Sequence, residues 1–341
     1  MLSPVVLTFN LCRKRVFRAE EISKFFNGRQ FFILTAVLFV VLLWIAPSSD
    51  VVLQGTSSGV CFSSVPSFAM SPTLSRILSV LAMVGVSVLL IMLNKGYSYV
   101  RDVTYSFSST FLLLGIANPM VSTQFYDGTL LSVVLLLLAS IMFGAYQDGA
   151  AQRKVYITFV LLAVCTMFHY SYVYLIPIMI FGFVQMRIMG LKSVLAMIFG
   201  LVTPYWIATG TGMISLSEYE APHIVDIWSG LDFEQSTYII SVVALTILLS
   251  LVLFGMNVLK LISYKMQTRS YNGFFIALML FTMIAMAVDY NNVLVYLPVL
   301  NICLSVQMAH AYTLKKQSRR FIPYLLFVIV CVASFVWQVF Y

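Results

Sequence analysis

The sequence predicts an all-α polytopic transmembrane bundle of about eleven helices, with the N-terminus cytoplasmic and the C-terminus external. Three observations predict it. First, 61% of the 341 residues are hydrophobic, 9% are charged and the mean hydropathy is +0.97, whereas soluble domains carry about 25% charged residues. Second, apolar runs recur along the whole chain, and about 20 apolar residues cross a hydrocarbon core. Third, the charges are sorted. With the N-terminus inside, every Lys and Arg except Arg76 falls on the cytoplasmic side, as topology signals in membranes do. Asp50, Asp127, Glu218, Glu220, Asp226, Asp232, Glu234 and Asp289 fall outside.

Taken in order, residues 1–30 are a leader in which Arg13, Lys14, Arg15, Arg18, Lys24 and Arg29 alternate loosely with Val16, Phe17, Ile22, Phe25 and Phe26. That mix suits a helix lying on the cytoplasmic membrane surface, and equally a flexible basic leader. A single transmembrane domain follows over 31–341. Its apolar runs are 31–47, 74–94, 105–118, 129–144, 155–168, 171–187, 192–209, 237–260, 273–288, 293–312 and 321–340. Residues 105–118 give the weakest of these signals, being serine-rich at the start and stopped by Pro119. The stretch 155–187 is too long for one crossing, and His169-Tyr170-Ser171-Tyr172 interrupts its middle, where a hairpin would turn. In the next run Ala196, Gly200, Pro204 and Ala208 recur every four residues, a small-residue face that admits a neighbouring helix closely. Trp44, Trp206, Trp228 and Trp337 fall at or beyond the outer interface, as in an aromatic belt.

The net charge of +8 does not point to nucleic acid, because the basic residues sit in short clusters between apolar runs. Five cysteines, with Cys165, Cys303 and Cys331 inside apolar runs and Cys61 in an external loop, predict no intramolecular disulfide framework. The N-terminus lacks a cleavable signal pattern, so the run from Phe31 reads as a retained helix. No P-loop, dinucleotide-binding, HExxH or G-x-S-x-G motif occurs, so neither cofactor nor metal is expected.

Chemistry is therefore sought among unusual residues at the outer ends of the helices. His169, among Tyr170, Tyr172 and Tyr174, suits proton relay or a sugar hydroxyl, with the tyrosines stacking on a ring. It also suits a turn residue within an aromatic belt. Asp127 and Asp289 lie beside tyrosines and amides and suit a general base or sugar recognition. Asp127-Gly128 and Asn291-Asn292 also suit ordinary turns. Arg76 is the lone external cation, a fork for a phosphate or a snorkelling interfacial arginine. Glu218 and Glu220 lie in the acidic loop 210–236, which reads either as a cover over an outward cavity or as a solvated loop. His169, Asp127 and Asp289 are thus the candidate catalytic residues, and Arg76, Tyr170, Tyr172, Glu218 and Glu220 the candidate substrate-binding ones.

Phe168-His169 before a long apolar helix, Arg187 at its cytoplasmic end and Gly200-Leu201-Val202-Thr203-Pro204-Tyr205 resemble an uncharacterised multi-pass inner-membrane family of the Bacteroidota. Asn94, Tyr97, Arg101 and Thr104 suit that family too. The resemblance covers the middle third of the chain and implies a bacterial inner-membrane protein, but carries over no catalytic residue. In architecture the chain is also similar to lipid-linked sugar transferases and polysaccharide polymerases. That likeness implies cell-envelope work on a polyprenyl-linked sugar, with a transporter or a membrane scaffold as the alternatives. The near absence of carboxylates within the apolar runs counts against an ion-driven transporter.

Overall fold

A computed structural model describes residues 21, 24–47, 71–100, 105–213, 233–261, 264–313 and 321–340. Among them there is no strand, and each predicted apolar run forms one helix. These are α1 (Arg29–Ile45), α2 (Pro72–Tyr97), α3 (Ser106–Ala117), α4 (Asp127–Phe143), α5 (Gln152–Phe168), α6 (Leu175–Gln185), α7 (Leu191–Gly210), α8 (Phe233–Leu261), α9 (Met266–Val288), α10 (Val293–Thr313) and α11 (Phe321–Phe340). Six helical segments, those of α2 and α7–α11, are long and apolar enough to cross a membrane. The others are shorter: α3 is wholly buried among them, while α1 lies at the edge with Leu34, Val37, Val41 and Trp44 exposed.

The bundle is built around α10. Its apolar window is 94% buried, against 33% for α8 and 22% for α11. Polar residues explain the placement. Asn301, Ser305, Gln307 and His310 on α10 are all buried, and in a membrane such groups need protein neighbours. Asn257 of α8 supplies one, donating from Nδ2 to the Gln307 carbonyl at 2.8 Å and to Oε1 at 3.0 Å. At the end of α10 that the charge pattern assigns to the cytoplasm, His310 Nε2 meets Asn272 Oδ1. Asn272 in turn donates to the carbonyls of Tyr99 at 2.9 Å and Thr268 at 3.0 Å.

The weakest predicted run has a structural reason for its weakness. All 12 residues of α3 are buried. At 1.5 Å per residue it rises only about 18 Å, short of the roughly 30 Å hydrocarbon core. It stops at Asn118, and the chain turns through a one-turn helix, Pro119–Ser122, inside the bundle. Such a break is tolerated where side chains meet the freed backbone groups. Here Ser122 Oγ donates to the Gly115 carbonyl at 2.8 Å. Ser334 Oγ and Gln338 Nε2 of α11 both donate to the Ala117 carbonyl.

The small-residue seam of α7 is present. Its buried residues are Ser193, Gly200, Pro204 and Ala208. A Cβ on Gly200 would lie 2.8 Å from the Tyr156 carbonyl oxygen and 2.9 Å from Phe159 Cβ, so backbone touches backbone between α5 and α7. Hydroxyls fasten the same pair: Tyr156 to Thr203 at 3.3 Å, Thr166 to Tyr205 at 2.8 Å. Where α4 leads into α5, Lys154 Nζ reaches Asp148 at 2.9 Å and the Gly144 carbonyl at 2.7 Å. The ammonium beside Asp148 holds its carboxyl below the usual range.

Candidate functional site

Three separated pieces of chain meet at the end of the bundle that the charge pattern assigns to the outside. The first is the tip between α5 and α6. The α5 helix ends at Phe168, His169 is extended (φ −150°, ψ 132°), and a 3-10 turn, Tyr170–Tyr174, leads into α6. The hairpin thus falls where the polar interruption predicts it. His169 is the turn's N-cap: the Ser171 N–H donates to His169 Nδ1 at 3.1 Å. Since that nitrogen accepts, the neutral ring carries its proton on Nε2. The ring is fully buried, and this burial pushes its pKa below the ordinary 6.5, against the pull of the Asp127 and Asp289 carboxylates.

The second piece is the turn between α9 and α10. Asp289 is the C-cap of α9, and Tyr290–Asn292 form a second 3-10 turn. The Asp289 carboxylate receives three donors. Tyr170 Oη donates to Oδ2 at 2.8 Å, Tyr296 Oη to Oδ2 at 2.9 Å, and Asn292 Nδ2 to Oδ1 at 2.9 Å. Asn292 Nδ2 also reaches Tyr170 Oη. The His169 and Tyr170 rings stack with centroids 5.1 Å apart.

The third piece is the start of α4. Asp127, expected in an Asp-Gly turn, instead opens the helix and is 1% exposed. A carboxylate in the first turn is favoured by the helix dipole. Gly128 follows because no side chain fits: a Cβ would lie 2.7 Å from the Val295 carbonyl oxygen of α10. Tyr126 Oη donates to the Leu294 carbonyl at 3.0 Å, and Tyr172 Oη to the Asp127 carbonyl at 3.4 Å.

Five of the sequence-predicted site residues therefore gather: Asp127, His169, Tyr170, Tyr172 and Asp289. Arg76 does not bond to them. Its guanidinium donates to the Trp44 carbonyl at 3.2 Å, closing the end of α1 as an interfacial arginine would. Glu218 and Glu220 lie outside the described residues, as do most of the basic leader and Cys61. Asn292 and Tyr296 were missed by sequence reasoning as site members. The signal for Tyr296 was its place seven residues after Asp289, one helical turn beyond the 3-10 break. Among the described residues, no group of three or more His, Cys, Asp or Glu side chains is arranged to hold a metal ion.

The arrangement offers a dense set of donors and acceptors: the carboxylates of Asp127 and Asp289, the phenols of Tyr170, Tyr172 and Tyr296, the Asn292 amide and an imidazole of fixed tautomer, with ring faces beside them. Comparison with family models, curated proteins and solved structures finds no match to this chain.

Proposed function

We propose that this chain is an eleven-span protein of a bacterial inner membrane, N-terminus in and C-terminus out, that handles a lipid-linked sugar at the outer face. The observation that carries the reading is the convergence of Asp127, His169, Tyr170 and Asp289 from three distant segments at one end of the bundle. Carboxylate, phenol, amide and imidazole are the groups that pair with sugar hydroxyls, and aromatic faces stack on sugar rings.

One observation favours a second reading. Asp289 is already met by three protein donors, which suits a latch holding the α9–α10 turn to the α5–α6 tip in a membrane scaffold. Tyr170→Phe separates the two, because it removes one hydroxyl and keeps the ring stack. Binding of a polyprenyl-phosphate-linked hexose to the protein in nanodiscs, with polyprenyl phosphate as reference, is the measurement. The sugar-handling reading expects tighter binding of the hexose-bearing lipid, lost in Tyr170→Phe. No preference for the hexose in the parent protein would sink that reading and leave the latch.

A further inference from the structure

The polar tip carries negative charge that its own residues do not balance. Asp127 sits in the first turn of α4, where the helix dipole favours the anion. Three donors on Asp289 favour its anion too. Both carboxylates act on the buried His169 ring, so they share one neighbourhood. His169 itself brings no positive charge, because its Nδ1 accepts the Ser171 N–H and burial favours the neutral ring. Among the described residues the only ion pair, Asp148 with Lys154, lies at the opposite end. Arg76 is the single cation of the segments that the charge pattern places outside, and its guanidinium is turned to the Trp44 carbonyl.

A second observation is independent of charge. Asn292 is fully buried, and its Nδ2 is taken by Asp289 Oδ1 at 2.9 Å and by Tyr170 Oη. A carboxylate only accepts, so the amide cannot be turned round. Its Oδ1 is left as a buried acceptor that no protein donor meets, as is Oδ1 of the half-buried Asn291. Asp289 has room as well. An ionised carboxylate offers about four lone-pair positions, and here two donors fall on Oδ2 and one on Oδ1. The remaining position is on the oxygen that faces Asn292.

These leftover atoms are all acceptors, and they lie in an anionic corner. A sugar hydroxyl would meet them but brings no charge. An ammonium brings several N–H donors, no acceptor and the missing positive charge. Tyrosine rings, such as that of the half-exposed Tyr170, also attract cations. Asp289 and Asn291 are half-buried and Tyr290 is 58% exposed, so an end group reaches this corner from the surface. We propose that the polar tip binds its ligand through a positively charged amino group, held by Asp289 and the oxygens of Asn291 and Asn292. Where this rests on the sugar-handling reading, it makes the sugar an amino sugar. The ethanolamine head of a phospholipid offers the same chemistry.

The test uses the full chain in phosphatidylglycerol nanodiscs, which hold no competing amine. Binding is compared for polyprenyl-phosphate-linked hexose, its 2-amino-2-deoxy form and the N-acetylated amino form, with polyprenyl phosphate as reference. Native mass spectrometry compares retention of phosphatidylethanolamine and phosphatidylglycerol. The aminohexose lipid is expected to bind about tenfold or more tighter than the other two sugar lipids. Asp289→Asn, which keeps an acceptor oxygen and loses the charge, should bring the three to equal affinity. Equal binding of all three by the parent, with phosphatidylethanolamine retained no better than phosphatidylglycerol, would overturn the proposal. If the three still outbind polyprenyl phosphate, sugar handling survives that failure. If no sugar lipid outbinds polyprenyl phosphate while phosphatidylethanolamine is retained by the parent and lost in Asp289→Asn, the amino-group proposal stands and sugar handling falls. An amine preference that Asp289→Asn leaves unchanged would place the amino group elsewhere and overturn the proposal as well.

Discussion

At the scale of single residues, three donors of the polar tip share one acceptor, the Asp289 carboxylate. Removing the Asp289 carboxylate takes the acceptor from the hydroxyls of Tyr170 and Tyr296 and one of two partners from the Asn292 amide. A stranded buried donor costs about 1–3 kcal/mol. Asp289→Ala should therefore melt well below the parent in detergent, and Asp289→Asn, which keeps an acceptor oxygen, should melt between them. Equal melting of all three would mean that these bonds carry no stability. His169 gives a second expectation, with a definite sign. Its folded pKa lies below the ordinary 6.5, so the unfolded chain binds the extra proton first. The stability it contributes is fully present above pH 6.5 and falls as the pH drops below that value towards the folded pKa. Asn at 169 offers an acceptor oxygen where Nδ1 sits and cannot titrate. Thermal melts from pH 7.5 to 5 should lose less stability in His169→Asn than in the parent, and equal losses would remove His169 from the pH response.

At the scale of elements, α7 shows how far a spacing pattern reaches. The four-residue recurrence of small residues predicts a contact face, and three of its members, Gly200, Pro204 and Ala208, are buried there. Because backbone lies within 2.8 Å of a Cβ at Gly200, Gly200→Leu should cost about 1–3 kcal/mol by overpacking. Leu201→Ala, at a half-buried position, should cost less. Thermal unfolding of the two in detergent decides it, and equal midpoints would remove the seam. The α3 helix marks where pattern stops helping. A 12-residue apolar run reads as a short span, but its break at Asn118 is held by Ser334 and Gln338, more than two hundred positions away. No local signal encodes such partners.

At the scale of the molecule, the helices themselves were legible because lipid imposes long apolar runs, and all eleven runs became helices. Which helix is central was not. Hydropathy draws attention to the most apolar segments, yet α8, with mean hydropathy 2.7, faces outward while α10, at 1.6, is almost wholly buried. The buried amides of α10 are the physical clue, since they need partners in protein. The α7 helix, at 1.5 and only 17% buried, breaks the trend because its threonines bond their own helix: Thr203 to the Phe199 carbonyl, Thr209 to that of Tyr205. The site was half legible. Unusual residues at helix ends pointed to Asp127, His169 and Asp289, while charge alone grouped Arg76 with them and the fold gave it to Trp44.

The central claim is that the tip bearing His169 and Asp289 faces outward. Cysteine labelling in intact cells with an impermeant thiol reagent, in a chain carrying Cys61→Ser, tests it most directly. Tyr290 is 58% exposed beside Asp289, while Ala150 and Gln267 are exposed at the opposite end. Tyr290→Cys should label in intact cells, and Ala150→Cys and Gln267→Cys only after lysis. Labelling of Gln267→Cys from outside with Tyr290→Cys protected would invert the orientation and contradict the account.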